Sequence, residues 1–333
     1  MFHMKKFWLF LASLLIGAGL FFWLIKSISW QAIKNALLVF TGWQGTVILG
    51  LTFLLSLTYI WKWKEILKGL GIKVSFRDIF GPYFAAFSII YFFPVVFLGG
   101  EVFRCYLLKE KKDISWTKGM ASVIIDRVLD WTTNLLVIFF GLIFFLFTAS
   151  SLPPTWGLIF GGVFIFGAAG TSFFYFKVFK RESLAKFFLR LISFRNNNTE
   201  PFEIEKEIFT FFKPKKAHFW KGFGIAFVEE AIIFFRTFLL VSFLGKNITP
   251  ISTIIINGFL YLATIIPIPA SIGTLDVVQA FSFGALGFGA GAGVVFTLII
   301  RGAEIILALF GLLIFFRLGL NLLKITSFKS HEI

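Results

Sequence analysis

The residues of this chain that could do chemistry are charged side chains set inside apolar sequence. Seven of them form two blocks, with Glu101, Arg104, Asp126, Arg127 and Asp130 in the first and Asp276 and Arg301 in the second. A charge at the centre of a membrane helix costs roughly 2.5–3.5 kcal/mol on insertion scales, so proteins keep it where it pairs, lines a cavity or meets a substrate. We therefore take these seven as the candidate substrate-binding residues.

Proline and glycine interrupt the apolar sequence beside both blocks. The interruptions are Pro94, Gly99 and Gly100 in the first, and Pro267, Pro269 and Gly273 in the second. Broken helices persist inside a membrane only where protein or a cavity satisfies their freed backbone groups. We therefore predict that these residues are hinges or helix breaks that help to form one polar cavity reached from the bilayer. The residues expected at that shared cavity are Glu101, Arg104, Asp126 and Asp276.

Most of these charges also have a neighbour in sequence that would make them structural ion pairs. At a spacing of about one helical turn the pairs are Glu101 with Arg104, Arg127 with Asp130, and Arg301 with Glu304. Asp276 has no such local partner, so it is the acid with the strongest functional character if it is buried. The sequence leaves the structural and the functional readings open.

Acidic residues outnumber arginines in the apolar sequence. The seven acids are Glu101, Asp126, Asp130, Glu229, Glu230, Asp276 and Glu304, and the four arginines are Arg104, Arg127, Arg236 and Arg301. The formal excess of negative charge must be protonated, hydrated or matched by a cation. Proton coupling and a cationic lipid headgroup are both consistent with it.

Composition assigns the chain to the polytopic helical membrane proteins. Of the 333 residues 58% are hydrophobic, 50 are phenylalanine, and the mean hydropathy is +0.89. The net charge of +15 does not indicate nucleic acid, because the basic residues concentrate between the apolar runs. Cys105 is the one cysteine, and the three histidines show no metal-ligand spacing, so we predict no metal and no cofactor.

Apolar runs predict an all-α fold of about six full spans and two shorter broken segments within a single domain, residues 1–333. The full spans are residues 7–25, 43–61, 119–148, 155–176, 222–244 and 294–316, and the broken segments are residues 82–105 and 251–290. We predict that both broken segments are re-entrant hairpins. Because each precedes a span that carries an acid and an arginine, an inverted repeat is compatible with the order of segments.

Lysine and arginine fall mainly on one side of this predicted topology. With a cytosolic N-terminus, the segments 1–6, 62–80, 104–118, 177–221 and 317–333 are cytosolic and hold 26 of them. The outside segments 26–42, 149–154 and 245–250 hold 3. A single crossing in place of either hairpin would remove this bias, so the positive-inside rule supports a multi-pass protein of the cytoplasmic membrane with both termini cytosolic.

The basic segment 177–221 contains an amphipathic pattern. Leu184, Phe187, Phe188, Leu191 and Ile192 recur at helical spacing, with Lys186 and Arg190 between them. Such a helix would lie on the anionic cytosolic leaflet or pack on the cytosolic end of the bundle, and the sequence does not separate the two.

Three strings of sequence resemble one known family. They are P-x4-GGEVFR from Pro94 to Arg104, IDRVLD with Asp126, Arg127 and Asp130, and IPIPASIGTLD with Asp276, followed by Arg301. These resemble the lysylphosphatidylglycerol synthase transmembrane-region family, the flippase-like membrane half of the multiple peptide resistance factor. Asp276 stands where the family usually has glutamate. The resemblance covers nearly the whole chain and implies a lipid-translocating or lipid-handling protein.

Some members of that family carry a C-terminal aminoacyl-transferase domain, which we do not expect here because 17 residues follow Phe316. A lipid flippase or translocator for a polar, aminoacylated, phospho- or glycolipid is the first hypothesis. An ion-coupled transporter of a small solute is the second, and a membrane-embedded transferase ranks last, so no enzyme activity is expected. The expected partners are membrane lipids, with a second copy of the chain or a separate lipid-modifying enzyme as further candidates.

The predicted topology can be tested by labelling single cysteines from each side of the membrane in a background without Cys105. A probe at Ser115 should react from the cytosolic side, because it lies in the basic segment after the first hairpin. Reaction of Ser115→Cys with an impermeant reagent on the outer side would contradict the topology.

Overall fold

The computed structural model describes residues 38, 41–92, 99–148, 154–184, 186, 200–213, 217–265 and 273–329. In these ranges the regular elements are α-helices, which confirms the all-α prediction. The ten helices described are α1 (Trp43–Gly69), α2 (Phe76–Phe92), α3 (Gly99–Lys112), α4 (Trp116–Thr148), α5 (Pro154–Lys180), α6 (Glu200–Phe211), α7 (Ala217–Phe243), α8 (Pro250–Ile265), α9 (Thr274–Ala285) and α10 (Ala290–Lys329).

Several of these helices are long and apolar enough to cross a membrane. Four meet that description over Trp43–Gly69, Trp116–Thr148, Gly161–Lys180 and Ala290–Leu318. Helix α7 has 27 residues and is long enough, although it carries Glu229, Glu230 and Arg236. These helices correspond to five of the six predicted spans, and the sixth, residues 7–25, lies outside the described residues.

Helices α2 and α3 form the first hairpin. The carboxylate of Asp78 at the start of α2 lies 2.9 Å from the ammonium of Lys112 at the end of α3. At the opposite end, a Cβ added to Gly100 would overlap Ile90. The two helices therefore run antiparallel and return to the same end of the bundle. Helix α2 ends at Phe92 and α3 begins at Gly99, and Pro94 lies outside the described residues.

The first hairpin begins earlier than the predicted residue 82, because a reciprocal cap starts the helix. The backbone N–H of Ser75 donates to Asp78 at 2.9 Å, and the backbone N–H of Asp78 donates to Ser75 Oγ at 3.3 Å. The hydrogen bond from Lys112 lowers the pKa of Asp78 to about 2. This contribution to stability is present above the ordinary carboxylate pKa and is lost as the pH falls towards 2.

Helices α8 and α9 form the second hairpin. The side-chain amide of Gln279 on α9 donates to the carbonyl of Ile256 on α8 at 3.0 Å, midway along both helices. Gly273 precedes α9 with a φ of +83°, a conformation that glycine adopts without strain, and its N–H donates to Asp276 at 3.0 Å. Pro267 and Pro269 lie outside the described residues.

Part of the basic segment packs on the bundle. Helix α6 and the residue after it bury Ile208, Phe211 and Phe212 in the same core cluster as Ile66 of α1 and Phe219 of α7. Most of the predicted amphipathic helix, from Phe187 to Ile192, lies outside the described residues.

The apolar interior consists of two clusters at different levels of the bundle. One contains Leu55 of α1, Leu135 of α4 and Ile233 of α7. The other contains Ile60, Ile66, Leu129 and Phe219 from the same three helices. The ionic cluster described below lies on these helices at the junction of the two apolar clusters.

Glycines allow helices to touch backbone to backbone at two places. An added Cβ at Gly141 of α4 would lie 3.0 Å from the carbonyl of Ile254 and 3.1 Å from Cα of Gly258, both on α8. An added Cβ at Gly311 of α10 would overlap the carbonyl of Phe84 on α2. Both hairpins are thus held by close contact of an arm with a long helix.

The contact at Gly311 can be tested by adding one methyl group. Gly311→Ala should lower the unfolding free energy by about 1–3 kcal/mol, because the backbone of Phe84 blocks the methyl. Gly302→Ala on the same helix is the control, since nothing lies within 4 Å of its added Cβ. It should be neutral or stabilising by up to about 1 kcal/mol. Equal melting temperatures of the two variants in detergent would contradict the close contact.

Candidate functional site

The centre of the candidate site is Lys62, whose side chain is 0% exposed in the middle of the bundle. Its ammonium lies 2.7 Å from Glu229 Oε2 and 3.4 Å from Asp126 Oδ1, and it also contacts Asp130 Oδ1. The ring centroid of Tyr59 is 5.0 Å from the same nitrogen. One lysine therefore joins three carboxylates that come from α4 and α7.

The prediction that Lys62 belongs to a basic cytosolic linker was wrong. Helix α1 continues without a break to Gly69, so Lys62 lies inside the helix. The signal that could have found it is the helical spacing of Leu55, Lys62, Ile66 and Gly69, which places the lysine on the buried face.

Arg104 binds the second oxygen of Asp126. Its Nη2 lies 2.9 Å from Asp126 Oδ2, and both side chains are buried. The guanidinium stacks over the ring of Trp63, with 4.5 Å from its central carbon to the ring centroid. Trp63 in turn donates from Nε1 to Ser122 Oγ at 3.0 Å. The indole thus holds the arginine in place against α4.

Arg127 binds Glu101 with two nitrogens. The Nε donates to Glu101 Oε1 at 2.9 Å, and Nη2 contacts the same oxygen. The Arg127 side chain is 48% exposed, whereas the Glu101 side chain is 5% exposed. The cluster therefore presents one cation at its outer edge.

These contacts replace the pairs predicted from sequence spacing. Glu101 and Arg104 do not pair with each other within α3, because each reaches across to α4. Arg127 approaches Asp130 to 3.9 Å, which is a marginal contact, and its main partner is Glu101. The ion pairs thus tie the returning arm of the first hairpin to α4.

We call these seven residues the lysine cluster: Lys62, Glu101, Arg104, Asp126, Arg127, Asp130 and Glu229. Four acids face three cations, so the cluster has a formal charge of −1 when every member is ionised. Two buried oxygens, Asp126 Oδ1 and Glu229 Oε1, accept no hydrogen bond within the described residues. The cluster therefore has the negative charge to bind a proton or a ligand cation, and two of its oxygens still have room to accept a hydrogen bond.

Asp276 and Arg301 form a second group between α9 and α10. Arg301 Nη1 and Nη2 lie 2.9 Å and 2.8 Å from the two oxygens of Asp276. Thr297 also donates to Asp276 Oδ1, and Asp276 is 0% exposed. The expectation that Arg301 neutralises Glu304 is thus corrected, because Arg301 forks onto Asp276. No cation lies near Asp276 in the local sequence, and the cation that binds it comes from the next helix.

The seven predicted residues therefore occupy two groups. Five of them lie in the lysine cluster, and Asp276 with Arg301 forms the second group. The end of the first hairpin approaches the second group, where Tyr91 Oη lies 3.5 Å from the carbonyl oxygen of Arg301. A cavity shared by both groups stays a prediction. Among the described residues, no cluster of three histidine, cysteine or acidic side chains could hold a metal ion.

The helices and this cluster define a polytopic membrane protein with charged residues enclosed between its spans and two helical hairpins. The family model described as the Lysylphosphatidylglycerol synthase TM region matches residues 10–311, so the chain belongs to that family. It is 26% identical over 271 residues to a UPF0104 membrane protein of Methanocaldococcus jannaschii, covering 77% of this chain and 79% of that protein. No solved structure matches the chain.

Removing the central cation should be costly. Lys62→Met leaves three carboxylates without their shared partner and should destabilise the protein by about 3–5 kcal/mol, the range for breaking a buried ion pair. Glu229→Gln added to Lys62→Met should restore part of the loss, since it removes one unpaired charge. Thermal unfolding in detergent measures both effects.

The matched control is Lys68→Met, because Lys68 lies on the same helix and is exposed. It should change the unfolding free energy by less than about 0.5 kcal/mol. If Lys62→Met melts at the temperature of Lys68→Met, the lysine does not hold the cluster together.

Proposed function

We propose that this protein translocates a polar lipid across the cytoplasmic membrane. The observation that carries the proposal is the position of Arg127 and Trp131 on α4. They are four residues apart, so they share one face of the helix, and both are about half exposed. A cation that could meet a lipid phosphate thus lies one turn from the start of an apolar groove.

The groove has a volume of about 470 Å³ and lies between α4 and α5. Its lining residues are Trp131, Gly162, Val163, Phe166, Gly167, Gly170, Thr171 and Ile265. Only Thr171 and the indole of Trp131 offer a polar side-chain group. Glycines on α5 leave the space open, since nothing lies within 4 Å of an added Cβ at Gly162 or Gly170. The groove thus suits an acyl chain whose headgroup lies at Arg127.

The family name supports a lipid as the substrate class, because it refers to a synthase of a phospholipid. The distribution of basic residues supports the membrane orientation predicted from the sequence, in which both termini are cytosolic. In that orientation Arg127 lies 11 residues after the start of α4, about 16 Å from its cytosolic end. A headgroup at Arg127 would therefore have left the cytosolic surface and entered the bundle.

An ion-coupled transporter of a small solute is the second candidate. The negative charge of the lysine cluster favours it, since a bound proton or cation would neutralise the site. We propose no catalytic reaction for the cluster, because each of its acids is bound to a cation.

The test is the accessibility of a headgroup-labelled phospholipid in reconstituted vesicles to a membrane-impermeant quencher. Gly170→Leu should slow lipid movement, because its side chain would fill the groove. Gly161→Leu is the control, since Gly161 is on the same helix with open space around it but does not line the groove. Arg127→Gln should slow movement on the order of tenfold, the effect of losing one charge-assisted contact of roughly 1.5 kcal/mol.

A wild-type protein that leaves the quenched fraction at the level of empty vesicles would refute lipid translocation. Equal rates for Gly170→Leu and Gly161→Leu would refute the groove as the acyl-chain path.

A further inference from the structure

One acid inside the bundle is held by neutral groups. Glu230 of α7 is partly buried, and Tyr261 of α8 donates from its hydroxyl to Glu230 Oε2 at 2.7 Å. In the amide orientation that satisfies its surroundings, Asn134 of α4 donates to Glu230 Oε1 at 2.9 Å and to the carbonyl oxygen of Asp130 at 3.2 Å. No lysine or arginine among the described residues lies within 4.0 Å of this carboxylate. Three helices therefore meet on a carboxyl group through hydrogen bonds alone.

The acids of the lysine cluster differ from Glu230 in this respect. Glu229, one residue earlier on α7, lies 2.7 Å from Lys62, and Asp126 lies 2.9 Å from Arg104. Because successive residues of a helix point about 100° apart, Glu229 and Glu230 meet different neighbours. The lysine cluster already has one acid more than it has cations, so an ionised Glu230 would add a second uncompensated charge beside it. A proton on Glu230 removes that cost.

The titratable groups around Glu230 come from the helices that pack against this part of α7. Tyr261 of α8 binds the acid directly. Asp130 of α4 binds Lys62 of α1, and the ring of Tyr59 of α1 lies 5.0 Å from that ammonium. Lys62 and Asp130 are thus paired with each other, and phenols are neutral at physiological pH. Glu230 is the member of this set that is free to exchange a proton.

Both partners of Glu230 lie one helical turn from the apolar groove. Asn134 is three residues after Trp131 on α4, and Tyr261 is four residues before Ile265 on α8. Residues at these spacings share a helix face, and Trp131 and Ile265 line the groove. A change in the charge of Glu230 is therefore felt next to the proposed lipid path.

We propose that Glu230 binds the proton that couples lipid movement to a pH gradient across the membrane. In each cycle the carboxylate takes up one proton from water on the more acidic side, and the carboxyl group releases it to water on the other side. The hydroxyl of Tyr261 serves both states, because it donates to the carboxylate and accepts from the carboxyl group. Release of the proton places a negative charge one residue from Glu229, where it acts on the ammonium of Lys62.

This inference rests on the proposed function, because it names the energy source of lipid movement. The first experiment follows headgroup-labelled phosphatidylethanolamine in reconstituted vesicles with and without a pH gradient. If one proton moves with each lipid, a gradient of about one pH unit should produce up to about tenfold asymmetry of the label between the leaflets. Glu230→Gln resembles the protonated acid and should leave the label evenly distributed. Wild-type asymmetry in Glu230→Gln would overturn the proposal.

Glu304→Gln on α10 is the matched control. Within the described residues Glu304 also has no lysine or arginine within 4.0 Å, but no side chain of another helix donates a hydrogen bond to it. This variant should keep the asymmetry. Its loss in Glu304→Gln, together with its retention in Glu230→Gln, would assign the proton to α10 and overturn the proposal.

Infrared difference spectra detect the proton without any transport. Above about pH 6, where exposed acids are ionised, the purified protein should still show the carbonyl band of a protonated carboxylic acid. Glu230→Gln should lose this band, and Glu304→Gln should keep it. Tyr261→Phe should move the loss of the band to higher pH by about one unit, because the carboxylate loses one donor. An unchanged band in Glu230→Gln, or an unchanged pH dependence in Tyr261→Phe, would overturn the proposal.

The two measurements separate this proposal from lipid translocation itself. A wild type that shows the band but does not move lipid in vesicles would refute translocation and leave the proton site standing. A wild type that moves lipid but does not respond to the pH gradient would overturn the coupling and leave translocation standing.

Discussion

The buried ammonium of Lys62 is the interaction on which the interior of this protein depends. Three carboxylates from α4 and α7 meet on it, and the pairs of Arg104 and Arg127 extend the network to α3. Inside a membrane these acids could not remain ionised without cations beside them. The ion pairs of Lys62 therefore hold α1, α4 and α7 together between the two apolar clusters, where apolar packing alone does not.

The lysine cluster also explains why the first hairpin packs against α4. The helices α2 and α3 are short, and α3 carries Glu101 and Arg104 on the turns that face α4. Each of these charges finds its partner across the interface, so the hairpin is attached by two ion pairs as well as by apolar contact. The second hairpin is attached differently, through the fork of Arg301 on Asp276 and the close approach of Gly258 to Gly141.

Sequence reasoning predicted the elements well and the partners poorly. Helix breaks near Gly99 and Gly273 were predictable because glycine and proline act locally, and the apolar runs were long. Lys62 was missed because the second predicted span ended at residue 61, whereas α1 continues to Gly69. The pairs Glu101–Arg127 and Asp276–Arg301 join different helices, and spacing along one helix carries no information about the helix that packs against it.

The glycine contact between α4 and α8 has a mechanical consequence. With the backbones touching at Gly141 and Gly258, no side chains lie between the two helices there to take up relative motion. Helix α4 is continuous over 33 residues, with the acids of the lysine cluster in its first half and this contact in its second half. A shift of the second hairpin would therefore move α4 as a whole, and Asp126 and Asp130 would move with it.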